Sequence, residues 1–220
     1  MKRRLAGRMI SMLTVMMSLV CLCGCKSGVK LQSDMQNVEQ RDYATILLVA
    51  QGKDGKSYEF SLGIAEEKKV GEESQTEKVS VFCANDFEEL AKIYQDVKGK
   101  SLSLVHLKTI LLTKEQKGVL EEQGDIISQM GENEEIAKTC PVLQVTDKDA
   151  FLEYVQDAKE PVGIYLSNLI KLKERQGYHV PWLKDYLKVL REEMDLQIYF
   201  LEEEKEGLQV QCRAEVSISS

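Results

Sequence analysis

Six cysteines, two histidines and a surplus of carboxylates are the side chains of this 220-residue chain that could do chemistry. Spacing narrows them quickly. Cys83, Cys140 and Cys212 lie far apart and none belongs to a C-x-x-C pair, so neither a zinc site nor a thioredoxin-like dithiol is read from them. Cys83 and Cys212 fall on the apolar set of alternating strands and read as small core residues. Export would permit one disulfide among the three, and spacing does not choose the pair. His106 lies inside the apolar run LSLVHLKTILL, Leu102 to Leu112. It reads either as a catalytic base or as a strand histidine donating to a neighbour, and the second reading needs fewer assumptions. His179, before Val180-Pro181, reads as a solvent-facing loop residue. No serine stands in a G-x-S-x-G elbow, and neither a P-loop nor a G-x-G-x-x-G occurs. Acidic runs such as Glu202-Glu203-Glu204 read as a solvated turn, which singles out no acid/base pair. Trp182, the single tryptophan, reads as a packing anchor at a helix start. No catalytic residue, cofactor or metal site is assigned, and an enzyme is not expected.

The other cysteines stand near the start of the chain, where the pattern is specific. Lys2, Arg3, Arg4 and Arg8 precede an apolar stretch from Met9 to Leu22. At about fourteen residues it is shorter than the roughly twenty a bilayer crossing needs, and it fits the apolar core of an export signal. Leu22-Cys23-Gly24-Cys25 comes next, with the apolar, small and cysteine positions of a bacterial lipobox. That chemistry requires Cys25, whose thiol takes a diacylglyceryl thioether before cleavage exposes its amine. Residues 1–24 are read as the signal, and two or more acyl chains on Cys25 would suffice for stable anchoring. Loss of the signal removes four basic and no acidic residues, moving the formal charge from −7 to about −11. Such a surface excludes nucleic acid as a partner and expects the lipid, not a basic patch, to hold the membrane. Residues 25–40 are read as a tether. As a flexible coil, the fifteen residues Lys26–Gln40 would span roughly 20 Å.

With 43% hydrophobic and 30% charged residues, the remainder reads as one globular domain. Tyr43–Ala50 is a continuous apolar run expected to be a strand covered on both faces. The Asp54-Gly55 turn leads to alternating Tyr58, Phe60, Leu62 and Ile64. Glu66–Lys78 is expected to be a solvated loop, followed by a strand with Val79, Val81 and Cys83 inward. Asp86 and Glu89 have capping-box spacing for a helix whose face is Phe87, Leu90, Ala91, Tyr94 and Val97. Leu102–Leu112 reads as one buried strand. A helix starting after Thr113 is expected to end near Gly124, with Ile126, Ile127 and Met130 on a second short one. Pro141–Val145 reads as a short strand, and Thr146 or Asp147 as the cap of the helix carrying Phe151, Leu152 and Val155. Pro161 and Pro181 are expected to open two helices. The first carries Ile164, Leu166, Leu169, Ile170 and Leu172, and the second runs from Leu183 to Met194. Alternation from Leu196 to Ile218 closes the chain with a hairpin. The expected class is α+β, a mixed β-sheet with flanking helices in a single domain ending in a β-hairpin. Residues 41–195 are its body. Residues 196–220 read as the hairpin, either a remnant of a following domain or a local substitute.

Two segments carry a resemblance. Val38-Glu39-Gln40-Arg41-Asp42-Tyr43 and His106-Leu107-Lys108-Thr109-Ile110-Leu111-Leu112 resemble the N-terminal domain of the C-subunit lipoproteins of spore germinant receptors. Pro161-Val162-Gly163-Ile164-Tyr165-Leu166 falls where that domain carries its later helix. The likeness covers about residues 22–195. Family members usually follow the lipid cysteine with W-D-x-x-E and continue to nearly twice this length, whereas Lys26-Ser27-Gly28 follows Cys25 here. The resemblance implies a non-enzymatic structural or docking component of a nutrient-sensing complex. Its partners would be the membrane, through the lipid, and the polytopic membrane subunits of a germinant receptor. It would sit on the outer face of the cytoplasmic or spore inner membrane. A free-standing ligand-binding lipoprotein is the alternative, and a hydrolytic lipoprotein the third reading.

Overall fold

The structure, a computed structural model, describes residues 40–65, 77–113, 119–158, 160–191, 196–204 and 207–216. Strand β1, Arg41–Gln51, organises the sheet. Ala44, Leu47 and Val49 enter one hydrophobic cluster while Ile46 and Leu48 enter the other, so both faces of the strand are covered. Both edges are used as well. On one side β1 pairs antiparallel with β2, Tyr58–Ala65. On the other it pairs parallel with β4, Ser101–Ser103, and then with β5, Thr109–Thr113. Outside β2 lies β3, Glu77–Ala84. Beyond β5 come β6, Val142–Val145, then β7, Leu196–Glu204, and β8, Gly207–Val216. The sheet order is β3-β2-β1-β5-β6-β7-β8, with β4 beside the start of β1.

The β1–β2 turn is built as its residues dictate. Gly55 takes φ 65°, a left-handed conformation that glycine adopts without steric cost. The Asp54 carboxylate accepts from the Ser57 and Lys56 amides and from the Ser57 hydroxyl. These bonds, the Ser57 amide first, hold its carboxyl down to about 2.

Helices cover both faces. On one side lie α1, Phe87–Lys98, and α2, Val119–Glu132. With α5, Leu183–Val189, they bring Leu90, Tyr94, Ile127, Met130 and Tyr186 onto β1, β2 and β5. On the other side α3, Lys148–Asp157, and α4, Val162–Arg175, bring Phe151, Val155, Leu166 and Ile170. The Asp86 and Asp147 side chains cap α1 and α3 by accepting from the amides of Glu89 and Ala150. The Glu89 carboxylate reaches back to Asn85. This is the expected α+β class, a mixed sheet with flanking helices. The final hairpin belongs to the same sheet: Gln144 and Val145 of β6 pair with Phe200 and Leu201 of β7.

Four local expectations are corrected. Leu102–Leu112 is two strands, because the Leu107 amide donates to the Leu104 carbonyl and turns the chain through exposed Val105 and His106. Gly124 does not end α2, which continues through Ile126, Ile127 and Met130 to Glu132, since glycine weakens a helix only modestly when the apolar face is buried. Val97, Ile164 and Leu172 are exposed, at the margins of the faces assigned to them. The last helix stops at Val189, with Leu190 as its C-cap, while Met194 lies outside the described residues.

A fifth correction concerns charge. The loop expected at Glu66–Lys78 lies outside the described residues up to position 76, but Glu77 and Lys78 belong to β3. Glu77 is buried. Its carboxylate accepts from the Gly163 amide in the first turn of α4 and from the Thr45 hydroxyl at the irregular step of β1. Two glycines make the approach possible. A Cβ at Gly63 would lie 2.8 Å from the Glu77 Oε1, and one at Gly163 would lie 2.8 Å from the Thr45 side chain. A buried carboxylate is tolerated when bonded and placed at the positive end of a helix.

These positions separate burial from sequence pattern. Leu111→Ala, at 0% exposure, is expected to cost about 2–5 kcal/mol. Glu77→Ala leaves the Gly163 amide unpaired in the interior, while the Thr45 hydroxyl keeps the Gly63 carbonyl at 3.2 Å, and should cost about 1–3 kcal/mol. Val97→Ala should stay within about 0.5 kcal/mol. Urea denaturation of the three variants measures all of this. A loss under about 1 kcal/mol for Leu111→Ala would contradict a central β5.

Candidate functional site

The N-terminal ends of the parallel strands come together at one end of the sheet, and two motif segments meet there. Arg41, Asp42 and Tyr43 pair with Ser101, Leu102 and Ser103. The turn after β4 then carries His106 back over β1, where its ring packs on Tyr43 with centroids 4.8 Å apart. Beneath them the Tyr94 hydroxyl of α1 donates to Asp42 Oδ2 at 2.7 Å, and Lys100 Nζ meets Oδ1 at 2.8 Å. The Lys108 amide donates to the Thr45 carbonyl, which returns the chain to β1 for β5. His106 is therefore not the strand histidine expected: the turn leaves it exposed, its ring tilted by 50° against that of Tyr43.

The neighbouring loops complete this end. Glu135 Oε2 accepts from the Leu104 amide, and the Lys138 ammonium donates to the carbonyls of Met130, Asn133 and Ile136, closing the end of α2. Pro141 bridges to Trp182, and the Val142 amide donates to the Pro181 carbonyl. Trp182 is half-buried, with Lys184 Nζ 4.1 Å from its ring centroid and the His179 ring at 6.0 Å. Asp185 Oδ2 accepts from the Trp182 amide at 2.8 Å and lies 3.4 Å from His179 Nε2. His179 is exposed, as its loop position implies.

The cysteines divide. Cys140 is buried and reduced, its Sγ facing the Leu107 carbonyl at 3.9 Å, and burial pushes its thiol up to about 12. A neutral thiol there is a packing group, not a nucleophile. Cys83 is also reduced but exposed, which overturns its assignment to the core. On β3 it is Phe82 and Ala84 that face α1, while Val81 and Cys83 lie on the open side of an edge strand. Over the whole strand Lys78 and Ser80 make the Phe82 set the more polar one, so alternation points to Val81 and Cys83. Over Val81–Ala84 both sets are apolar, and the structure buries Phe82 and Ala84. Cys212 pairs with Tyr199 through the backbone of β8, and its side chain lies outside the described residues. So do Leu22, Cys23, Gly24 and Cys25. Among the described residues no group of three or more His, Cys, Asp or Glu side chains could hold a metal ion. An apolar crevice lined by Leu48, Ser61, Val79 and Phe151 has room for about one water.

Both motif segments lie within residues 34–200, over which the sequence matches the family described as the spore germination protein N-terminal domain. The chain belongs to this family. The match spans about three quarters of its length, from before β1 into β7. Against curated proteins and solved structures the chain has no significant match. In this spore germination domain the two segments thus meet in space: Asp42 fastens α1 and Lys100 to the start of β1, and His106 covers Tyr43.

Buried protonated groups set the response to alkali. Burial raises Tyr94, and its hydrogen bond to Asp42 adds to the effect; burial alone raises Tyr186, as it does Cys140. All three are neutral when folded, and the unfolded chain loses these protons first, near pH 9.0 for cysteine and 10.0 for tyrosine. Their stabilisation is complete below those values and is lost as pH rises toward the folded-state values. Stability in urea should therefore be flat from about pH 7 to about pH 8.5 and fall increasingly above about pH 9. Tyr94→Phe should flatten the part of the fall above about pH 10. An unchanged slope in that variant would remove Tyr94 from the account.

Proposed function

We propose that this spore germination domain is a membrane-anchored extracytoplasmic lipoprotein and a non-enzymatic structural or docking component of a germinant receptor complex. Membership of the family over residues 34–200 is the observation that carries the reading. The lipobox-like Leu22-Cys23-Gly24-Cys25 supports the anchor, with the thioether on Cys25. Polytopic membrane subunits on the same membrane are the proposed partners. The non-enzymatic role is supported by how the candidate groups are used. Cys140 is packed and neutral, His106 packs tilted against Tyr43, and Asp42, Asp185 and Glu135 hold backbone or side-chain partners. The surface available for docking is the acidic one that faces away from the strand starts, where Asp54, Asp86, Asp147 and Asp149 lie.

The experiment is metabolic labelling with a palmitate analogue, native chain against Cys25→Ala, followed by affinity capture from the membrane fraction. The expected result is label on the native chain, none on the variant, and polytopic membrane proteins recovered with the native chain. Equal labelling of Cys25→Ala would dispose of the anchor. Label confined to Cys25 with no membrane protein recovered would dispose of the receptor-component role.

A further inference from the structure

The end of the sheet where the parallel strands start is also where the chain arrives from Cys25, since Arg41 opens β1. On the tether reading, fifteen residues separate this end from the lipid, a coil span of roughly 20 Å. Its surface has a composition of its own. Arg41, His106, Lys108 and Lys184 are exposed there, with Tyr43 and Trp182 half-buried beside them. Val105 and Tyr178 add apolar surface at 50% and 48% exposure. The carboxylates at this end are engaged: Asp42 with Tyr94 and Lys100, Glu135 with the Leu104 amide, Asp185 with the Trp182 amide and His179. The exposed exceptions are Asp96 in the last turn of α1, Glu132 and Glu134 at the end of α2, Asp157 at the end of α3 and Glu160 after it, with Lys98 and Lys100 beside the first of them. The opposite end, beyond the C-terminal ends of β1, β3 and β6, gathers Asp54, Glu59, Asp86, Asp125, Asp147 and Asp149, against Lys53, Lys56 and Lys148.

We propose that this end rests on the headgroup layer of the bilayer, with Trp182 and Tyr43 at the interface and Arg41, Lys108 and Lys184 toward anionic lipid phosphates. The inference rests on the lipid-anchor reading and adds an orientation to it. The chain without residues 1–24, of net charge about −11, is repelled by an anionic leaflet as a whole, so the orientation of least repulsion puts the acidic end outward. Screening over about 8 Å makes the near end dominate the interaction at physiological salt. Indole and phenol rings with a polar edge favour the interface, and a lysine over the Trp182 ring places a cation at the same depth.

Trp182 is the single tryptophan, so its emission reports on this surface without labelling. The full lipidated chain is reconstituted into vesicles of phosphatidylcholine and phosphatidylglycerol, with or without lipid brominated near the headgroup. Trp182 is expected to lose roughly half its emission to the brominated lipid, as an indole at headgroup level does. In the double variant Trp182→Phe with Lys56→Trp, the reporter sits at the opposite end and should be unquenched. If Trp182→Phe destabilises the fold, iodide quenching of Trp182 in the native chain, with and without vesicles, gives the same comparison. A chain that floats with the vesicles and carries label on Cys25, yet shows equal quenching at both positions or none, overturns the orientation and leaves the anchor standing. A chain that neither floats nor depends on Cys25 for label overturns both. Shielding of Trp182 in native membranes but not in pure lipid vesicles would assign the surface to a protein partner and overturn the lipid contact.

Discussion

A strand buried on both faces and paired on both edges has no water to satisfy its backbone, so every amide and carbonyl of β1 must find its partner inside the protein. That requirement fixes much of the topology. The antiparallel edge is met cheaply by the next segment, through a tight turn at Asp54-Gly55. The parallel edge cannot be met by a hairpin, since a parallel partner requires the chain to cross back over the sheet. The chain makes that crossing with β3 and α1, arriving at Ser101 beside Arg41. The irregular step between Ala44 and Ile46 then decides where pairing stops and resumes. Between Ser103 and Thr109 the crossing segment has surplus residues, which leave as the turn carrying His106. The two segments are in this sense a backbone solution: Asp42, Tyr43 and His106 stand where one strand must be served by two short ones.

The interior carboxylate arises from the same strand. At the irregular step of β1 the Thr45 hydroxyl is turned inward, and the first turn of α4 presents an amide beside it. The Thr45 hydroxyl also has the Gly63 carbonyl at 3.2 Å, but the Gly163 amide has Glu77 as its acceptor. Leaving that amide unpaired in the interior would cost about 1–3 kcal/mol, and the absence of side chains at Gly63 and Gly163 lets Glu77 reach both groups. The clip ties the edge strand β3 to α4, a helix that sequence places 86 residues away. It thereby couples the antiparallel end of the sheet to the long connection between β6 and β7.

Much of the fold was legible because it is written in local terms. The two-sided run at Tyr43–Ala50, the Asp-Gly turn, and the Asp86 and Asp147 caps each have one favoured local solution, and the structure adopts it. What was not legible depends on partners distant in sequence. LSLVHLKTILL has uninterrupted strand composition, and only the β1 register shows why it must break at Val105-His106. Alternation along β3 favours the set with Val79, Val81 and Cys83 over the one with Lys78 and Ser80, and only the sheet order, which makes β3 an edge, shows why Val81 and Cys83 are left uncovered. Glu77, in a charged stretch, has the composition of a loop, and its burial is set by Thr45 and Gly163. The motif segments Arg41–Tyr43 and His106–Leu112 were visible as patterns, but their contact through the Tyr43 and His106 rings was not.

The chemistry of the site obeys the same logic. Tyr94, Tyr186 and Cys140 have their proton affinity raised chiefly by burial and face protein. The exposed His106 and His179 stand against aromatic rings on the surface. Two carboxylates fasten elements to one another, Asp42 holding α1 to β1 and Glu77 holding α4 to β3. A fold that spends its polar groups on its own register leaves recognition to surfaces, and the segregation of charge between the two ends of the sheet is the surface feature with a direction.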